Sequence, residues 1–193
     1  MPLDRSRLAD GLTGLFEGTG GYPASDADAG RRWAEIYRTY AGRAAAGPTS
    51  PSDGSLENAE ARLARALAAA FTTAKAPDAG IGTLTPLVDA AFVAFWLGRP
   101  PEVSAVAFTT PPPPDPPAPP PPTFAGMVTA ATAGVLSPGL SDMLTAPGAM
   151  SATAAQQARS VATVLDAWTR TAVRVVNTPV SPPGPPQDPV ALT

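Results

Sequence analysis

The chain has 193 residues, a formal net charge of -3 and only 15% charged residues, against roughly 25% in typical domains. It contains no cysteine and no histidine, which excludes disulfides, thiolate nucleophiles, metals held by sulfur or imidazole, and every catalytic triad that needs an imidazole. The low charge density leaves much of the surface to Ala, Gly, Pro and Thr, and such a surface is poorly protected against association. Composition therefore favours a protein that works within an assembly.

Several classes of partner are disfavoured. Arg31 and Arg32 form the only adjacent basic pair, so no basic stretch is present to follow a phosphate backbone and no nucleic-acid partner is predicted. No segment approaches the ~18 uninterrupted apolar residues of a membrane span. The charged N-terminus lacks the apolar core of a signal peptide. We therefore expect no membrane span, no small-molecule substrate and synthesis in the cytoplasm.

The N-terminal part of the chain predicts helices. The first begins near Leu3 behind Pro2 and ends at the glycines of residues 18–21. The second begins near Asp26 or Asp28 and carries an aromatic stripe at helical spacing, made of Trp33, Ile36, Tyr37 and Tyr40. Such a stripe most often packs in the hydrophobic core of the protein, and the alternative is a contact with another subunit.

Two more helices are predicted before the middle of the chain. Ser55 is a candidate N-cap for an alanine-rich helix that continues to Phe71. Residues 84–97 form the most hydrophobic stretch of the chain and end at Gly98. Each helix presents an apolar face, which predicts that they pack together as a bundle.

The middle of the chain combines a strand candidate with a proline run. Residues 103–109 alternate as a short strand does, and they predict either a strand added to another molecule or irregular structure. Residues 111–122 read PPPPDPPAPPPP, which excludes helix and interior strand because proline has a fixed φ and no N–H to donate. The run predicts an extended polyproline spacer.

The C-terminal part predicts helices and an arm. Residues 124–136 read as a helix weakened by two glycines, a short piece follows at residues 140–144, and the longest helix spans residues 151–175. The proline-rich residues 177–193 predict an extended arm. The order of parts also echoes that of the first half, which indicates either a degenerate duplication or similarity of composition alone.

These elements predict a mainly α fold: two small helical bundles, or one bundle of about six helices, with short β segments, an extended polyproline spacer and an extended C-terminal arm. The predicted domains are an N-terminal helical region (residues 1–101), a strand-like segment with the spacer (102–123), a C-terminal helical region (124–176) and a proline-rich tail (177–193).

Candidate chemistry is sparse. Glu57 and Glu60 could act as paired carboxylates, but with Arg62 and Arg65 they are more typical of ion pairs on a solvated helix face. The three aspartates Asp26, Asp28 and Asp53 could bind a hard cation, yet aspartates in such positions more often act as caps. We therefore predict no catalytic residue, no metal, no cofactor and no enzymatic activity.

Two stretches carry a family resemblance. RWAEIYRTYAG at residues 32–42 and LVDAAFVAFWLG at residues 87–98, leading into TTPPPP, resemble small alanine- and proline-rich structural proteins of tailed bacteriophages or phage tail-like contractile particles. The resemblance covers about the first 120 residues, and the second half of the chain matches only in style. It implies a virion or particle subunit made in the bacterial cytoplasm, with no catalytic residues to carry over.

The sequence thus predicts a non-catalytic subunit of the tail, baseplate or neck. It would contact other subunits of the same particle, in a homo-oligomer or a hetero-assembly, through its extended proline-rich segments. The predicted contact residues are Val103, Val106, Phe108, Pro111, Pro114, Pro119, Pro122, Pro179, Pro182 and Pro185. A monomeric helical adaptor that recruits a partner through its prolines, and a capsid decoration protein, remain the alternatives.

Overall fold

A computed structural model describes residues 3–98, 105–112 and 121–193. Over these residues the chain forms six α-helices, one short 3-10 helix and one five-stranded antiparallel sheet. The elements in chain order are α1 (Arg5–Phe16), α2 (Asp26–Ala41), β1 (Ser50–Pro51), α3 (Asp53–Ala74), α4 (Ile81–Leu97), β2 (Ala107–Thr109), β3 (Thr123–Ala131), α5 (Leu136–Thr145), the 3-10 helix (Ala149–Ser151), α6 (Ala154–Ala172), β4 (Val173–Ser181) and β5 (Val190–Ala191).

The predicted mainly α fold is wrong, because the protein is a mixed α/β structure with a curled antiparallel sheet. The decisive error lies at residues 124–136, which the sequence predicts as a helix and which form β3 with a turn after it. Exposure alternates along β3: Gly126 and Val128 are buried, whereas Met127 is exposed. This period of two is the signature of a strand packed on one face, and the many alanines obscure it.

The proline run connects two paired strands. The sheet order is β1-β2-β3-β4-β5, and β2 pairs with β3 in the register Ala107↔Met127 and Thr109↔Ala125. Thr110 continues the pairing, since its N–H donates to the Phe124 carbonyl at 3.2 Å. The sequence predicted a spacer between helical bodies, but the strands on either side, β2 and β3, pair with each other; residues 113–120 between them lie outside the described residues. The regions that flank the proline run contribute to one hydrophobic core.

The last residues return to the sheet. The strand β4 continues through residue 177, where the sequence placed the start of an arm, and β5 then pairs with it in the register Arg174↔Ala191. Leu192 is buried, and the backbones of Thr193 and Ala45 exchange two hydrogen bonds of 3.0 and 3.1 Å. The echo between the two halves required a helix where β3 lies, so the structure favours similarity of composition.

The helices follow the predicted order more closely. The aromatic stripe of α2 faces inward, with Tyr37 and Tyr40 each 1% exposed. Tyr37 meets Phe92 and Trp96 of α4 edge-to-face, at ring-centroid distances of 4.7 and 6.5 Å. Trp96 in turn stacks on Phe108 of β2 at 6.4 Å. One aromatic cluster therefore joins the helices to the sheet.

The α2–α3 contact depends on a small residue. A Cβ on Gly30 would collide with the Ala64 carbonyl oxygen and lie 2.9 Å from the Ala68 backbone nitrogen. Backbone atoms cannot move aside as a flexible side chain can. Gly30 is thus required for the close approach of the two helices.

The predicted ion pairs within α3 are not the ones observed. Glu57 and Glu60 pair with Arg38 of α2, at N–O distances of 3.6 and 3.4 Å. Arg62 is buried, and its guanidinium donates to the Ala94 and Phe95 carbonyls of α4 at 3.1 and 3.0 Å. The Ala94 carbonyl also accepts from the Gly98 N–H at 3.0 Å, so Arg62 adds a second donor there and supplies one to the Phe95 carbonyl at the end of α4.

We expect Gly30→Ala to lower the free energy of unfolding by about 1–3 kcal/mol, because the added methyl group forces α2 and α3 apart. Gly54→Ala is the matched control, since a Cβ there has no atom within 4 Å and alanine favours a helix by up to about 1 kcal/mol. Chemical denaturation measures both. Equal effects of the two substitutions would contradict the close-approach argument.

We expect Arg62→Met to lower the free energy of unfolding by about 2–3 kcal/mol, because it removes two charge-assisted hydrogen bonds from buried carbonyls. Arg65→Met is the control. Arg65 lies on the same helix and donates only to its own exposed turn, at the Ala61 carbonyl, so a change within about 0.5 kcal/mol is expected. Urea unfolding curves of the two variants would show the difference.

Candidate interaction surface

The sheet presents one face to the helices and one to solvent. The register aligns Ala107, Met127 and Val176 in one outward row, and Thr109, Ala125 and Thr178 in the next, which Ser50 extends. We call these seven residues the outward face. Met127 is 54% exposed, so one large apolar side chain stands among shorter side chains on the outer surface of the curled sheet.

The outward face carries no charged side chain. Arg174 lies two residues before Val176 on β4, on the same side of the sheet, and its guanidinium turns back to the Arg170 and Val173 carbonyls at 3.3 and 2.9 Å. Apolar and hydroxyl groups with short side chains lose little conformational entropy when they are covered. Covering the outward face with another surface therefore costs little side-chain conformational entropy.

The edges of the sheet are blocked. At one edge β1 has two residues and contains Pro51. At the other edge the tail hydrogen-bonds to β4: the Gln187 N–H donates to the Asn177 carbonyl at 2.8 Å, and the Gly184 N–H donates to the Pro179 carbonyl at 3.4 Å. Prolines and covering loops prevent strand addition, so the faces of the sheet are left for contacts.

The predicted contact residues fall into three groups. Val106 and Phe108 are buried inside the chain, 0% and 1% exposed. The sequence predicted that this segment could add a strand to another molecule, but β2 pairs with β1 and β3 of the same chain. Pro179 is half-buried in β4 opposite Phe124. The exposed prolines are Pro111, Pro122, Pro182 and Pro185. Val103, Pro114 and Pro119 lie outside the described residues.

Sequence reasoning missed the outward face. Its two longest apolar side chains, Met127 and Val176, come from β3 and β4. Because residues 124–136 were predicted to be a helix, β3 was not predicted. The available signal was alternation: on either side of buried Val128, the exposed positions are Met127 and Thr129. Nothing in the sequence places β3 beside β4.

The candidate acidic groups Asp26 and Asp28 form ion pairs, and the N-cap of α2 is Ser25. Asp26 pairs with Lys75 at 2.6 Å. Asp28 accepts from Arg31 and Arg32 at 2.7 and 3.0 Å, and these two hydrogen-bonded guanidinium groups lower its pKa to about 2. Within the described residues, no three acidic side chains gather where they could hold a metal ion.

A groove with a volume of about 860 Å³ lies between the start of α1 and α6. Its wall holds a chain of hydrogen bonds: the Tyr40 hydroxyl donates to Asp166 at 2.7 Å, and Arg170 donates to Asp166 at 3.0 Å and to the Leu3 carbonyl at 2.7 Å. These groups satisfy one another and tie the N-terminus to α6. The groove is therefore explained by its structural role.

Both buried tyrosines of α2 have a raised pKa. Burial is the main cause for Tyr37 and for Tyr40, and the neighbouring Tyr37 and the hydrogen bond to Asp166 raise that of Tyr40 further. The Tyr37 hydroxyl also accepts from Trp96 Nε1 at 2.9 Å and contacts Thr169 Oγ1 at 2.8 Å. Both tyrosine side chains are buried in the hydrophobic core.

Comparison with known protein families, with curated proteins and with solved structures finds no match for this chain. In the part of the chain that the structure describes, no helix has the length and apolar character needed to cross a bilayer.

We expect stability to fall as pH rises above about 10, because unfolded tyrosines ionise there while Tyr37 and Tyr40 keep their protons in the folded state. Folding then requires proton uptake, which costs more at each higher pH. Below about pH 10 this contribution is fully present. Urea unfolding at about pH 8 and about pH 11 measures the loss. The double variant Tyr37→Phe/Tyr40→Phe should lose less over that interval, and an equal loss would refute the assignment.

Proposed function

We propose that this protein is a non-catalytic structural subunit of a phage virion or phage tail-like particle, at the tail, baseplate or neck, and that it assembles through the outward face. The first partner of that face is a second copy of the chain. Support comes from the resemblance of residues 32–42 and 87–98 to phage structural proteins, from the low charge content and from the surface described above.

The observation that carries the proposal is the uncharged outward face beside blocked edges. A contact about a twofold axis brings the same surface patch together from both copies. If these rows of residues were charged, the same charges on the two copies would repel each other. The rows that contain Met127 and Thr109 carry no charge. Covering Met127 and Val176 also removes exposed apolar area from water.

The proline hairpin supports a second candidate, an adaptor that recruits a partner domain through its prolines. Pro111 and Pro122 are exposed, and the Phe124 N–H donates to Thr110 Oγ1 at 2.7 Å where the loop leaves the sheet. Preformed polyproline segments are a common recognition element. This candidate requires a monomer with the hairpin as its only contact.

We expect the purified chain to self-associate, as measured by light scattering over a wide concentration range. Met127→Lys should weaken association by about tenfold or more, because it places like charges opposite each other at the centre of the face. Val135→Lys is the matched control, since Val135 is 51% exposed and lies outside the outward face. A wild-type chain that stays monomeric throughout would contradict the proposal.

A hairpin variant separates the two candidates. Replacement of residues 111–122 by Asn-Gly leaves Thr110 and Phe124 close enough for a tight turn. Under the proposal this variant still self-associates. If it becomes monomeric while Met127→Lys does not, the hairpin carries the contact and the outward face does not.

A further inference from the structure

A second surface feature, independent of the outward face, is an apolar groove among the helices. It has a volume of about 170 Å³ and is lined by residues of α1 through α6. The aromatic pair Phe16 and Trp33, with ring centroids 5.8 Å apart, forms one wall, and Val88 and Met143 contribute to the others. We call this space the apolar groove.

The apolar groove offers no polar partner to a ligand. Its lining includes one residue with a hydroxyl group, Thr85. That hydroxyl donates to the Ile81 carbonyl at 3.0 Å and accepts from the Ser137 hydroxyl at 3.1 Å. A polar group that enters would lose its hydrogen bonds to water without replacement, so the groove accepts only hydrocarbon.

A second compartment adjoins it and differs in chemistry. It has a volume of about 180 Å³, shares Phe16, Met143, Leu144 and Val161 with the apolar groove, and adds Gln157 and Ser160. The Gln157 amide nitrogen already donates to the Ala149 carbonyl at 3.2 Å. The Ser160 hydroxyl and the Gln157 carbonyl oxygen are the groups that can serve a ligand's polar end.

The lining also sets the charge of the ligand. Among the residues that line the two compartments in the described chain, none is charged. A carboxylate or ammonium group drawn below the exposed rim at Gln157 and Ser160 would leave water without an opposite charge, which is costly. A hydroxyl group needs only the hydrogen bonds that Ser160 and Gln157 supply.

We propose that these two compartments bind a small neutral amphiphile, with its hydrocarbon part in the apolar groove and its hydroxyl group at Ser160 and Gln157. A cavity of about 150 Å³ holds benzene, so the hydrocarbon part has about six carbon atoms. The site shares no residue with the outward face, and its occupation does not depend on the proposed assembly.

The test uses hexan-1-ol as the probe and methionine methyl groups as reporters in NMR titrations of the full chain. We expect the Met143 methyl resonance to shift saturably, since Met143 lines both compartments. Met127, on the outward face, is the internal control and should not shift. Hexanoate should bind at least about tenfold more weakly, because no cation offsets its charge.

Matched variants test the location. Leu144 lines both compartments and is 37% exposed, whereas Leu87 is 38% exposed on α4 and lines neither. We expect Leu144→Trp to weaken hexanol binding by about tenfold and Leu87→Trp to leave it unchanged. Should Leu144→Trp fail to fold, Ser160→Trp at the exposed rim replaces it, with the same expected loss.

The proposal is overturned if hexanol shifts Met143 and Met127 alike, if hexanoate binds as tightly as hexanol, or if the folded groove variant binds as the wild type does. The proposal is also overturned if the Met143 methyl resonance does not shift when hexanol is added. In that case the groove would be closed, or filled by a side chain of a neighbouring subunit.

Discussion

The architecture depends on one buried hydroxyl group. Tyr37 is 1% exposed, and its hydroxyl accepts from Trp96 Nε1 of α4 and hydrogen-bonds Thr169 Oγ1 of α6. A buried hydroxyl without partners is costly, so α2, α4 and α6 can pack in only one relative position. Because Trp96 also stacks on Phe108, the same constraint locates the sheet.

Other polar contacts between distant segments repeat this principle. The Asp89 carboxylate on α4 accepts from the Ser137 N–H at 3.0 Å and so caps α5 from outside that helix. The Asn177 side chain donates to the Ala46 carbonyl and accepts from Thr49, at 2.8 and 2.9 Å. Alanine side chains are too small and uniform to determine how helices fit together. In this alanine-rich chain, buried hydrogen bonds supply that specificity.

The sheet explains why contacts with other molecules would use its face. Natural sheets avoid edge-to-edge pairing with prolines, short edge strands and covering loops, and this chain has all three, in Pro51, β1 and the tail after β4. The outward face has no such protection against association, since it lacks charged side chains. The edges of the sheet are therefore protected against pairing with another molecule, whereas the outward face can be covered by one.

The sequence by itself determined the helices and the absence of histidine and cysteine chemistry. The apolar stripes of α2 and α6 and the caps near Asp26 are local signals, spaced within a few turns of one helix, and local signals can be read from a single chain. The buried fate of Tyr37 was predictable for the same reason. The strand at residues 107–109 was foreseeable from its alternation, although its partners were not.

Only the tertiary structure decided the identity of β3, its pairing with β2 on the other side of the proline run, and the position of the outward face. Residues 123–131 mix alanine, which favours a helix, with threonine, phenylalanine and valine, which favour a strand, so the local preferences conflict. Pairing with β4, some fifty positions later in the chain, settles the choice, because hydrogen bonds between strands form only when the segments meet. The candidate contacts follow from that pairing, and a periodicity within one segment contains no information about its distant partner.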